Sequence, residues 1–237
     1  MDTMQDLLRQ SRPTAARPLL GLTVLAVEDS RFACEALRLM TQASGARLRR
    51  ADSLMAAERH LRTYRPGAVL VDMGLPDGSG ATLIRQLAAA SPRVDVILAL
   101  SGDPGREGEA MAAGADGFLA KPVASLAAFQ AAILRLLPAD RQPSGPRAVP
   151  TATVTPDPLA LRDDLDHAAR ALSGSAGPRL DYAAQFVQGL ARSAGDRALE
   201  AAAEAVAQRR AQGAGAWPEV AHLAGLVRSR LAASPTM

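Results

Sequence analysis

The sequence predicts an α/β domain built on a doubly wound sheet of five parallel strands, followed by a smaller all-α domain of four helices. Three observations carry this prediction. Short apolar runs alternate with amphipathic stretches between residues 22 and 137; a segment with six prolines then breaks the pattern; and residues 159–233 keep helical spacing without a strand-like run. The 237 residues suffice for one good-sized domain and a smaller companion.

The elements follow in order. Residues 1–20 read as a short polar arm interrupted by Pro13 and Pro18. LTVLAVED (22–29) is a strand ending in two acids, and SRFACEALRLMTQAS (30–44) is a helix with Ser30 at its N-cap and Cys34 among its apolar positions. ARLRRAD (46–52) is a weaker strand, and SLMAAERHLRTY (53–64) a helix that Arg-Pro-Gly stops. AVLVDMG (68–74) has the unbroken apolar character of a strand buried on both faces. The turn LPDGSG leads to a helix at 81–90, VDVILALS (94–101) is a fourth strand, and GFLA (117–120) a fifth, with a final helix at 125–137. Between the last two strands, GDPGREG is rich in helix breakers, so the helix there should be short or mobile.

These elements divide the chain into an arm (1–20), the α/β domain (21–138), a proline-rich linker (139–158) and a helical domain (159–233) with helices near 159–172, 179–193, 196–211 and 217–232. Charge is evenly spread. Residues 20–138 hold 13 basic and 12 acidic side chains, and residues 139–237 hold 11 and 10, which argues against DNA as a partner of either part. A single cysteine rules out an intrachain disulfide and a paired-cysteine zinc site. No run approaches membrane-spanning length and no signal-peptide pattern is present, so the expectation is a cytoplasmic protein without a membrane partner.

In a parallel sheet, ligands collect at the carboxyl ends of the strands. There the sequence places Glu28 and Asp29 (first strand), Asp72 (third), Ser101 (fourth) and, just after the fifth, Lys121, the one lysine in the chain. Three convergent carboxylates repel unless a hard cation or a proton joins them, and Mg²⁺ suits an all-oxygen site. A carboxylate beside a metal, a hydroxyl and an ammonium is arranged to receive a phosphoryl group.

Glu28-Asp29, VLVDMGLPDGSG, LALSGD and GADGFLAKP together resemble the receiver domain of two-component response regulators, over roughly residues 21–138. The resemblance implies a flavodoxin-like fold. It makes Asp72 the phosphoacceptor, and Mg²⁺ the cofactor, held by Glu28, Asp29, Asp72 and the backbone carbonyl of Gly74. It implies that Ser101 and Lys121 bind the phosphoryl group, that Phe118 is an aromatic switch, and that a cis bond joins Lys121 to Pro122. A histidine kinase or histidine phosphotransfer protein would be the donor, and the only catalysis would be the domain's own phosphorylation and dephosphorylation. Two departures stand out. Gly74 leaves the phosphoryl group uncovered on one side, and Asp103 is placed to orient a water.

For the helical part, HAARALSG from His167 is loosely similar to histidine phosphotransfer domains; the ordinary alternative is a solvated histidine on a charged face with Asp163, Asp164, Asp166 and Arg170. The expected output is contact with a downstream protein through these helices, and a homodimer is left open. The alternative is a DNA-binding transcriptional regulator, although no basic recognition helix is evident. A phosphatase of the haloacid dehalogenase type would need an aspartate where Gly74 stands, and GLPDGSG does not form a phosphate-binding glycine loop.

Overall fold

A computed structural model describes residues 12–233 apart from 124, 147, 149, 175, 176 and 214; most of the expected N-terminal arm, residues 1–11, lies outside the described residues. The chain divides into two compact units. The first comprises Met1–Asp29 and Ala36–Thr155, and the second Ser30–Glu35 and Pro156–Met237.

In the first unit, five strands form one sheet: β1 Thr23–Val27, β2 Arg47–Ala51, β3 Ala68–Asp72, β4 Val96–Ser101 and β5 Gly117–Ala120. Their order is β2-β1-β3-β4-β5, with every neighbouring pair parallel. The intervening helices are α1 Arg31–Ser44, of which Ala36–Ser44 belong to this unit, α2 Leu54–Thr63, α3 Gly80–Ala89, α4 Glu107–Ala112 and α5 Leu126–Leu134. As GDPGREG predicts, α4 is short: six residues after a 3₁₀ turn at Pro104–Arg106.

Alternate strand residues face opposite sides of the sheet, and both sides are covered. Leu25, Val27, Val69, Val71, Ile97 and Ala99 share one apolar cluster with Leu83 and Ile84 of α3. Val24, Ala26, Leu70, Leu98 and Leu100 share another with Leu37 and Met40 of α1 and Phe129 and Ile133 of α5. Edge strand β2 instead exposes Arg47, Arg49 and Arg50, which accounts for its weak apolar signal.

Three features of this unit depart from the sequence reading. Leu19, assigned to the polar arm, is 1% exposed and packs in the second cluster with Leu22. Thr153, assigned to the linker, bridges to Ser125, and Val154 packs against the same cluster. LPDGSG, with Gly74 before it, forms a two-stranded hairpin, Gly74–Leu75 against Gly78–Ser79, in place of a simple turn.

The second unit contains α6 Pro158–Leu172, α7 Pro178–Ala194, α8 Arg197–Ala211 and α9 Trp217–Ala233, within two residues of the expected bounds. Helix α6 packs on α7, α7 on α8, α8 on α9 and α9 on α6, closing a four-helix bundle. Its core interleaves Leu165, Ala168 and Leu172 with Val187, Leu190, Ala203, Val206, Leu223 and Val227. Gly195 ends α7 in the left-handed conformation (φ 72°), and Asp196 then caps α8 by accepting from the Leu199 amide at 3.1 Å. Among the described residues, no helix is long and apolar enough to cross a membrane.

Candidate functional site

The strand order reverses between β1 and β3, and the acidic residues sit at the carboxyl ends of these two strands. Glu28 extends β1 by one bond, its amide donating to the Ala51 carbonyl at 2.8 Å, and is fully buried. Asp29 is half-buried, and its carbonyl accepts from Arg50 Nη2 at 2.9 Å. Asp72 is the last residue of β3 and is 8% exposed. One carboxylate oxygen from each of Glu28, Asp29 and Asp72 lies within 4.8 Å of the others.

Lys121 reaches this cluster because the β4–β5 ladder continues past β5: its amide donates to the Ser101 carbonyl at 2.8 Å. Its Nζ stands 2.5 Å from Glu28 Oε2 and 2.8 Å from Asp72 Oδ2. The bond from Lys121 to Pro122 is cis. Ser101, the last residue of β4, is 3% exposed, and its Oγ accepts from the Asp103 amide at 3.0 Å. The Asp103 carboxylate is itself engaged, Oδ1 accepting from the Gly105 amide at 2.8 Å to cap the 3₁₀ turn. Gly74 donates its amide to Asp72 Oδ1 at 3.2 Å.

Electrostatics explain why these groups need one another. Burial pushes the Glu28 carboxyl up to about 8, with the Asp72 and Asp29 charges adding to the rise and Lys121 opposing it. Burial would lower the Lys121 ammonium, but the Asp72 and Glu28 carboxylates outweigh it and raise its pKa. Lys121 offsets part of the charge of these carboxylates. Carboxylate oxygens from three residues this close together form an all-oxygen donor set that fits Mg²⁺.

Glu28, Asp29, Asp72 and Lys121 are therefore brought together, and Ser101 and Gly74 are joined to them by backbone contacts. Phe118 is half-buried on β5, opposite Ala99, against the first apolar cluster. His167 is exposed on α6, its ring edge-on to Phe186 at a centroid distance of 5.2 Å. Asp164, read from sequence as part of the charged face around His167, is instead 2% exposed.

Two supporting residues escape a sequence reading. A Cβ on Gly80 would stand 2.0 Å from the Asp72 carbonyl oxygen, so only glycine lets α3 start this close to the phosphoacceptor candidate. Asp77, in the hairpin after β3, caps α2: its oxygens accept from the Leu54 and Met55 amides at 2.9 and 3.0 Å. DGSG signals a turn, but neither contact can be read from it.

A family model for the response regulator receiver domain matches residues 24–133, the stretch that holds every one of these strand-end groups. Residues 24–133 are a response regulator receiver domain. The KDP operon transcriptional regulatory protein KdpE of Escherichia coli K12 is 34% identical over 151 residues, 63% of this chain and 62% of its own. The virulence transcriptional regulatory protein PhoP of Salmonella typhimurium is 31% identical over 106 residues, 43% of this chain and 46% of its own. The chain thus spans less than two thirds of the length of either relative.

Among solved structures, a CheY-like receiver domain from Methylobacillus flagellatus is 29% identical, with a TM-score of 0.44, over 48% of this chain and 98% of that one. The receiver domain of sensor histidine kinase PA1611 from Pseudomonas aeruginosa, which has a magnesium ion coordinated in its active-site cleft, is 28% identical, with a TM-score of 0.44, over 48% and 96%. The curated relatives are transcriptional regulators by name, so they give no support to the expectation that DNA is not a partner.

Proposed function

We propose that the chain is a cytoplasmic response regulator whose receiver accepts a phosphoryl group on Asp72 from the phosphohistidine of a histidine kinase or histidine phosphotransfer protein. One observation carries the reading: Lys121 Nζ lies 2.8 Å from Asp72 Oδ2 inside a cluster of three carboxylates. An Asp72 oxygen attacks phosphorus, the phosphorus–nitrogen bond breaks, and the imidazole leaves with the electron pair, giving an acyl phosphate. Glu28, Asp29, Asp72 and the Gly74 carbonyl would hold Mg²⁺, which supplies positive charge against the phosphoryl oxygens. Lys121 pairs with Asp72 in the resting state and then follows the charge onto a phosphoryl oxygen. The buried Ser101 hydroxyl donates to a second oxygen, and Phe118 turns inward as Ser101 moves. Hydrolysis returns Asp72 to the carboxylate, so the chain turns over only its own phosphoryl group.

The bundle α6–α9 is proposed to pass the signal on by protein contact; its near-equal numbers of basic and acidic residues support this. His167, packed against Phe186, carries no phosphoryl group in this reading. The names of the relatives favour a second reading in which the bundle contacts DNA. Salt-dependent binding to random-sequence duplex by the phosphorylated chain would establish that second reading. For the receiver, incubation with acetyl phosphate should add one phosphoryl group to the intact mass with Mg²⁺ and none with a chelator. No addition under either condition contradicts the proposal.

A further inference from the structure

Strand β2 closes one end of the sheet, and among the described residues no strand pairs with its outer side. The Arg47 amide donates to the Leu22 carbonyl at 2.9 Å, and the Ala51 carbonyl accepts from the Glu28 amide at 2.8 Å. Arg47, Arg49 and Ala51 thus turn their main chain towards β1, and the amides and carbonyls of Leu48 and Arg50 point away from the sheet. The side chains alternate as well. Ala51 packs in the first apolar cluster and Leu48 against the second, which puts Arg47 and Arg49 on one face and Arg50 on the other. All three arginines are exposed. Positive charge is concentrated here. Residues 47–65 hold six arginines against Asp52 and Glu58, whereas the remainder of residues 20–138 holds seven basic and ten acidic side chains. Glu58 pairs with Arg62 at 3.6 Å, and Asp95 with Arg65 at 3.7 Å. Among the described residues, no carboxylate pairs with Arg47, Arg49 or Arg59.

An open strand edge is commonly guarded by charge against pairing with its own kind. Here the charge has one sign. A second copy of β2 laid along this edge would bring arginine opposite arginine, which destabilises, whereas an acidic strand gains from each opposite-charge pair. Arg47 and Arg49 stand about 7 Å apart along one face, the repeat of alternate side chains in any extended segment. We propose that the outer edge of β2 is a docking site for an acidic, extended segment of a partner protein, which joins the sheet as a sixth strand. Its main chain bonds Leu48 and Arg50, and carboxylates at alternate residues meet Arg47 and Arg49. Nucleic acid would meet the arginines but leave those main-chain groups unused, so the open edge favours a peptide. The proposal does not depend on phosphorylation of Asp72.

The experiment uses the full chain and a fluorescein-labelled peptide that alternates glutamate with valine. Three further probes are its lysine–valine counterpart, an N-methylated acidic form that keeps the charge but cannot donate main-chain hydrogen bonds, and a random-sequence DNA duplex. The readouts are affinity by fluorescence anisotropy and amide hydrogen exchange at Leu48 and Arg50. The acidic peptide should bind and slow exchange at both amides. The lysine and N-methylated forms should bind at least roughly tenfold more weakly, and so should the acidic peptide to a chain carrying both Arg47→Glu and Arg49→Glu. These two side chains are exposed, so the double variant should keep its fold, and it should bind the lysine peptide more tightly than wild type does. Arg50, which holds the Asp29 carbonyl, is left in place. No binding of the acidic peptide to wild type, or unchanged exchange at Leu48 and Arg50 when it is bound, overturns the proposal. Equal affinity for the N-methylated form reduces the contact to charge attraction and overturns strand addition. Duplex binding that is lost in the double variant, with no slowing of exchange by the peptide, assigns the edge to nucleic acid instead and likewise overturns it.

Discussion

Lys121 Nζ lies 2.8 Å from Asp72 Oδ2, bridging the ends of two strands that are not neighbours in the sheet. The same ammonium stands 2.5 Å from Glu28 Oε2, so one compact cation reaches two buried carboxyl groups. An ammonium can pass from carboxylate to phosphoryl oxygen without imposing a plane, whereas a guanidinium is a broad, fixed fork. On the proposed role of Asp72, that difference would explain why this position keeps a lysine where every other Lys or Arg position is arginine.

Lys121→Arg should therefore keep the fold, as seen by circular dichroism. It should slow phosphorylation by acetyl phosphate by roughly a hundredfold, the usual cost of misplacing one charge-stabilising donor. A rate within twofold of wild type would show that charge alone suffices at this position.

Mg²⁺ binding should depend on pH through Glu28. Its carboxyl, pushed up to about 8, holds a proton at neutral pH, and the metal must displace it. Affinity should rise with pH by up to about tenfold per unit until pH passes 8, then level off. Calorimetry in buffers of different ionisation enthalpy should detect one proton released near neutral pH. In Glu28→Gln that proton release should vanish.

Gly80→Ala should damage the site without touching a polar group. Its Cβ would lie 2.0 Å from the Asp72 carbonyl oxygen, so the backbone must shift. The expected outcome is a loss of about 1–3 kcal/mol on urea unfolding together with weakened Mg²⁺ binding. Gly108→Ala, where an added Cβ meets nothing within 4 Å, should do neither.

Asp196 ties the start of α8 to Arg230 of α9, at 2.6 Å, while capping its own helix. The Arg230 hydrogen bond holds its pKa below 3.8. A carboxyl depressed on folding stabilises the native state above its unfolded pKa, and that contribution is lost as pH falls through the folded value. Asp196→Ala should cost about 1 kcal/mol for the cap at neutral pH. The gap between variant and wild type in thermal unfolding should close progressively below about pH 4.

On the proposed phosphorylation of Asp72, Gly74 should bear on how long the acyl phosphate lasts. With no side chain at this position, and only an amide on Asp72 Oδ1, nothing from residue 74 shields the phosphoryl group from water. Gly74→Asn should slow decay of phospho-Asp72 severalfold; equal, slow decay in both chains would remove residue 74 from the account.

The fold could be read because parallel strands covered on both faces are continuous apolar runs; AVLVD and VILALS admit little else. The candidate site could be read because its groups stand at consecutive strand ends, where topology alone makes them converge. What stayed hidden depends on contacts distant in sequence. Leu19 follows a proline and looks like part of an arm, yet it completes the core beside Leu22. Thr153 lies among prolines, and only its bridge to Ser125 shows it to be part of the first unit. Asp164 shares its helix with Asp163 and Asp166, and nothing in a run of acids distinguishes the buried one from the exposed pair.

The central claim is that Asp72 carries the phosphoryl group. After incubation with acetyl phosphate and Mg²⁺, borohydride reduction of the acyl phosphate followed by peptide mapping should convert Asp72 alone to homoserine, and Asp72→Asn should show no reduced residue. Reduction at another carboxylate, or unchanged phosphoryl uptake in Asp72→Asn, would contradict the account.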